Sequence, residues 1–106
     1  AETWAQIVAD FTEAENLLPT NWEGNDIGRP TSGSAAAFVG KSHLYQGNWA
    51  DAITALQRVV SSGQYSLLSA ENYMDNFTES NENNEESEYE LQFLGQDAFT
   101  WGVDIP

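Results

Sequence analysis

The stretch Ser34 to Gly63, SAAAFVGKSHLYQGNWADAITALQRVVSSG, decides the fold. Its apolar residues recur every three or four positions through Phe38, Val39 and Leu44, break at Gly47-Asn48, and resume through Trp49, Ala52, Ile53, Leu56, Val59 and Val60. Two amphipathic helices joined by a tight turn have this period, so the stretch reads as an antiparallel helical hairpin, with helices over about 34–46 and 49–62. The small residues are placed as in a tetratricopeptide repeat, whose slots fall here on Ala36, Val39, Gly40 and His43, then Ala52, Leu56, Val59 and Gln64. Gly40 and Ala52 carry the physical sense, because a minimal side chain at a helix crossing lets the two axes approach closely. Ala36, Val59 and Gln64 depart from the large residue, small residue and Pro of the repeat, which leaves an ordinary helical hairpin as the alternative.

Working outward, Trp4, Ile7, Val8, Phe11, Ala14 and Leu18 share one face of a first helix over about 3–18, which Pro19 ends. Phe11, Ala14 and Pro19 sit at the offsets of the second half of a repeat, so the chain is expected to open in mid-repeat and to come from a longer protein. Phe11 and Leu56 are about 45 positions apart where adjacent repeats are about 34 apart, and the excess falls in an inserted polar loop at about 20–33. Ser32 or Ser34 is expected to cap the helix that follows. Asn48 should cap the third helix with help from Asp51, and Gly63 should stop it. Beyond lie a short helix at about 70–77 capped by Ser69, an acidic low-complexity loop at about 78–88, and a strand at about 89–94 from the alternation of Tyr89, Leu91 and Phe93. The fold class read from this pattern is mainly α, with TPR-like antiparallel hairpins and a short C-terminal strand.

Composition excludes several functions. Three basic residues against seventeen acidic ones give a formal net charge of -14, a poor match to nucleic acid or anionic lipid. Cysteine is absent, which removes disulfides, thiolate metal sites and a cysteine nucleophile. No apolar run approaches a membrane span, and the chain as given is expected to be soluble.

In combination, AETWAQIVADFTEAENLLP, GRPTSGSAAAFVGKSHLYQGNWADAITALQRVVSSGQYSL, NYMDNF, the acidic loop and EYELQF resemble the helical core of the SusD/RagB family of outer-membrane nutrient-binding lipoproteins over about residues 3–94. The resemblance implies a non-catalytic, surface-exposed protein that captures glycan fragments, or in some members peptides, and acts as a lid on a SusC-like TonB-dependent transporter. It also implies a lipid anchor outside this sequence as the only membrane attachment, and no cofactor. The rival reading is a TPR-type protein-protein interaction scaffold whose inner helix faces, near Asn48 and Lys41, would bind a peptide tail.

A sugar site needs aromatic faces for the pyranose ring, flanked by polar groups for the hydroxyls. Trp22, among Asn21, Glu23, Asn25, Asp26 and Arg29 in the inserted loop, and Trp101, near Phe99 and Asp104, are the candidate ligand-binding residues. Trp22 could instead anchor its loop. Trp4 and Trp49 lie on apolar stripes and are expected to be packing residues. Arg29 is expected in an internal ion pair, and His43 as a packed, hydrogen-bonded ring. The acidic loop is expected to be solvated, with Ca2+ binding as the alternative, and Asn76-Phe77-Thr78 matches a glycosylation acceptor. No catalytic or metal-ligating set is singled out.

Overall fold

The computed structural model describes residues 2–90. Three α-helices dominate: α1 (Glu2–Leu17), α2 (Ser32–Tyr45) and α3 (Trp49–Ser61). Single 3-10 turns follow at Tyr73–Phe77 and Glu79–Asn81, and another interrupts the inserted loop at Gly24–Asp26. The mainly α, TPR-like architecture read from the sequence is present, with α2 in the middle, packed against α1 on one side and α3 on the other.

Two ring contacts set the direction of α1. Trp4 meets Tyr45 edge to face at 6.2 Å between centroids, and Phe11 stacks on Phe38 at 5.1 Å. The start of α1 thus lies against the end of α2, so these two helices are antiparallel as well. Between α2 and α3 the core is built of small residues, Ala36, Val39 and Gly40 on one helix and Ala52, Ala55 and Val59 on the other, all buried. That sandwiched position explains Ala36 where a repeat carries a large side chain. A Cβ built on Gly40 would lie 2.5 Å from Leu56 Cδ2 and 2.6 Å from its Cγ. The close approach expected at Gly40 is therefore real, although its nearest neighbour is the Leu56 side chain, with the Ala52 carbonyl further off at 3.6 Å.

Local signals end the helices. Gly47 at φ +76° and Gly63 at φ +73° take the left-handed conformation that follows α2 and α3. Asn48 occupies the N-cap of α3 but makes no side-chain cap bond, a correction to the capping expected there. Its N–H donates to the His43 carbonyl at 2.9 Å, so the turn is held by backbone instead. The cap of α2 also differs from expectation. Thr31, rather than Ser32 or Ser34, is the N-cap, and Ser34 is its partner in a reciprocal capping box, with Ser34 N donating to Thr31 Oγ1 and Thr31 N donating to Ser34 Oγ.

Trp49 corrects another expectation. It is 62% exposed, as is Ile53 at 64% and Val60 at 74%, while Leu56 is 39% exposed. The apolar arc of α3 is wide, and α2 covers only the edge bearing Ala52, Ala55 and Val59. Trp4, by contrast, packs as expected. Arg58 reaches from α3 to α1 and donates from Nε and Nη2 to the two oxygens of Glu15 at 2.8 and 2.9 Å. That hydrogen bond, working against a smaller desolvation effect and aided by the carboxylate's charge, raises the Arg58 pKa above its ordinary value. With Arg58 exposed, the pair contributes less than about 1 kcal/mol.

The helix expected at about 70–77 is shortened to the 3-10 turns of Tyr73–Phe77, entered through a turn in which Asn72 N donates to Ser69. Asn and Asp within it offer side-chain bonds that compete with α-helical ones. Of the strand expected at about 89–94, Tyr89 and Glu90 lie in irregular chain, and the rest falls outside the described residues.

Candidate functional site

The inserted loop and the acidic loop face each other across a cleft of about 320 Å³, with Tyr65 between them. The inserted loop is one wall. Its ends are tied by Ser32 N donating to the Pro19 carbonyl at 2.9 Å, and Trp22 Nε1 donates across it to the Pro30 carbonyl at 2.7 Å. Arg29 lies 6.0 Å over the Trp22 ring and donates to Asp26 at 2.8 Å. Trp22 is thus half-buried and oriented, and it lines the cleft. Arg29 makes the internal ion pair expected of it.

Tyr65 is the hinge between the scaffold and the cleft. Its hydroxyl pairs with Thr31 Oγ1 at 2.9 Å, and its ring lies over Gly33, filling the space in which any larger residue would carry its Cβ. Thr31 therefore caps α2 and holds Tyr65 at the same time. Replacing Thr31 by Ala should lower stability by about 1.5 kcal/mol, from the lost cap and the lost tyrosine partner, whereas Thr31→Ser should stay within about 0.5 kcal/mol of the parent. Urea unfolding of the two variants checks this, and equal midpoints for both would contradict it.

The opposite wall is the acidic segment, in which Thr78, Ser80, Asn81, Glu82, Glu85 and Glu88 are exposed, as a solvated loop requires, and to which the structure adds a hydrogen-bond network. Glu86 accepts from the backbone N–H of Leu68 at 2.9 Å and from Asn76 Nδ2 at 3.3 Å. Ser66 N donates to the Glu85 carbonyl, Asn84 Nδ2 donates to Asn76 Oδ1, and Asn83 N donates to Glu90 at 2.6 Å. Half-buried backbone donors need acceptors, and for Leu68 and Asn83 the carboxylates of Glu86 and Glu90 supply them. Asn83 holds the turn at φ 58°, in the left-handed region that Asn tolerates. Asn76, the glycosylation-pattern residue, is half-buried within this network. Desolvation raises the Glu88 carboxyl above its ordinary range.

Other singled-out residues lie elsewhere. Trp101 falls outside the described residues. His43 is half-buried in α2, and its Nδ1 is buried with no hydrogen-bond partner among the described residues, unlike the bonded ring expected. Among the described residues no three His, Asp or Glu side chains converge as a metal site requires, and no helix is long and apolar enough to cross a membrane. Chemically, the cleft offers one indole, two phenols, a guanidinium, amides and carboxylates, a set suited to holding hydroxyl-rich molecules. Tyr65 and the Glu86 network were not identified from sequence, and the signal that could have found Tyr65 is the late Ser-Gly-x-Tyr-x-Leu pattern.

The same architecture occurs in known proteins. A curated SusD-like protein, P25 of Formosa agariphila, is 31% identical over 87 residues, which is 82% of this chain and 16% of that protein. A solved SusD superfamily protein of Bacteroides vulgatus is 38% identical with a TM-score of 0.76, over 86% of this chain and 19% of its own. A solved SusD-like protein of Bacteroides fragilis is 27% identical with a TM-score of 0.80, over 92% and 19%. The chain thus spans less than a fifth of the length of each of these three relatives. No family model matches it. With 31% of its residues identical to the curated relative across 82% of its length, and its fold shared with both solved structures, the chain belongs to the SusD-like family.

Proposed function

We propose that this chain is the helical scaffold of a non-catalytic glycan-binding protein at the outer-membrane surface, which delivers oligosaccharide to a SusC-like TonB-dependent transporter. The observation that carries this reading is the SusD likeness across 86% and 92% of the chain in two solved structures. The membrane attachment is a lipid anchor outside these residues. Within the chain, Trp22 supplies the apolar platform for a pyranose ring, and the amides and carboxylates facing it across the cleft receive the hydroxyls. Trp101, the second aromatic candidate, would add a ligand contact from outside the described residues.

Calorimetry on the full-length protein with a panel of oligosaccharides tests this reading. Trp22→Ala should weaken binding about tenfold or more, while Trp22→Phe, which keeps a ring but loses the bond to Pro30, should weaken it only about two- to threefold. Equal losses in both variants would assign Trp22 to loop anchoring, and a protein that binds no oligosaccharide or peptide would remove the glycan reading.

A specific feature supports the scaffold reading as a second role. The exposed stripe Trp49, Ile53, Leu56 and Val60 on α3 is the kind of face that a further helix or a partner covers.

A further inference from the structure

The charge around the cleft restricts what it can hold. Glu85, Glu88 and Glu90 line the wall opposite Trp22. The whole chain has three basic residues to answer them. Arg58 is held by both oxygens of Glu15 on α1, and Lys41 lies on α2 over the Tyr45 ring, outside the cleft lining. Arg29 does line the cleft, but its charge is answered by Asp26 at 2.8 Å. A carboxylate or sulfate ester placed here would enter a cleft whose lining holds three carboxylates against one guanidinium, that of Arg29, which already spends its Nε on Asp26. Recognition of such anions ordinarily depends on an Arg or Lys free to make charge-assisted bonds. Hydroxyl groups face no such penalty, since carboxylates, amides and carbonyls accept from them.

We propose that the cleft between the inserted loop and the acidic segment takes uncharged sugars and rejects uronic and sulfated ones. This selection rests on the reading of the cleft as a glycan site, and it adds a substrate class to it. Repulsion between partly exposed charges is screened within a Debye length of about 8 Å at physiological salt, so the discrimination is strongest at low ionic strength.

The test is calorimetry on the full-length protein with sugars that differ in charge and little else. Fully methyl-esterified oligogalacturonide is compared with its saponified form, and neutral galacto-oligosaccharide with its sulfated form, in dilute buffer containing EDTA to prevent bridging by divalent cations. The neutral member of a pair should bind at least about tenfold more tightly than its anionic counterpart. The gap should narrow at about 0.5 M salt, and in the Glu85→Gln/Glu88→Gln variant, which leaves the Glu86 network intact. An anionic member that binds as tightly as its neutral partner overturns the selection while leaving glycan binding in place. A gap that persists unchanged in the Gln variant also overturns it, since the rejection would then come from elsewhere. Failure of every sugar, charged or not, overturns the glycan reading itself and the selection with it.

Discussion

Replacing Gly40 by leucine should cost about 3 kcal/mol of stability, at the upper end of what overpacking a helix interface does. The expected Cβ position lies 2.5 Å from Leu56 Cδ2, and the Leu56 side chain can turn outward because it is already 39% exposed. The Ala52 carbonyl at 3.6 Å cannot turn, because it belongs to the backbone of α3. A single methyl is therefore tolerable. Gly40→Ala should fall within about 1 kcal/mol of the parent, since helix propensity favours Ala by about that amount and offsets the displaced leucine. Longer side chains have no such outlet and must push α3 away from α2. Adding Leu56→Ala should restore part of what Gly40→Leu loses, a coupling that two unrelated sites would not show. Urea denaturation of these three variants and of Leu56→Ala alone gives these values, and a Gly40→Leu midpoint equal to the parent's would refute close helix contact at this position.

Replacing Gly33 by valine should cost about as much, close to 3 kcal/mol, through a different neighbour. Here the added Cβ would sit within 2.6 Å of Tyr65 Cε2 and 2.9 Å of its Cζ. An aromatic ring cannot fold away as an aliphatic tip can. It must leave its place, and with it goes the hydrogen bond to Thr31 at 2.9 Å. Because Tyr65 also lines the cleft, the variant should lose ligand affinity about tenfold or more at temperatures where it remains folded. Tyr65→Phe separates the two effects, since it keeps the ring over Gly33 and removes only the hydroxyl. Parent-like oligosaccharide affinity in a folded Gly33→Val protein would show that the floor of the cleft does not depend on this seam.

The helical scaffold was legible in the sequence because its signals are local. Gly47 and Gly63 each answer to a dihedral angle at a helix end, Gly40 to a helix joined to its own by a short turn, and the apolar period of each helix is carried by its own residues. Trp49 marks the edge of that legibility. A wide apolar arc says that α3 is buried somewhere, but which side α2 covers is settled by Ala55 and Val59 only once the helices meet. The cleft was less legible because its bonds join distant residues. Thr31 to Tyr65, Leu68 to Glu86 and Asn76 to Asn84 are matches of donor to acceptor with no period behind them. In composition, Glu86 is one more acid in a run of acids. Only its bond from the Leu68 backbone N–H separates it from Glu85, which lines the cleft.

The inserted loop falls between these cases. Its polar, Gly-rich composition announced a surface segment, and Trp22 within it announced a purpose. Whether that purpose is anchoring or recognition is a question of geometry, and the structure gives the indole both a fixed N–H bond to Pro30 and a place in the cleft wall.

A crystal structure of the full-length protein with a bound neutral oligosaccharide tests the central claim most directly. The account predicts a pyranose ring within van der Waals distance of the Trp22 indole, between the inserted loop and the acidic segment. A sugar bound elsewhere, with this cleft closed or filled by the protein's own chain, would contradict it.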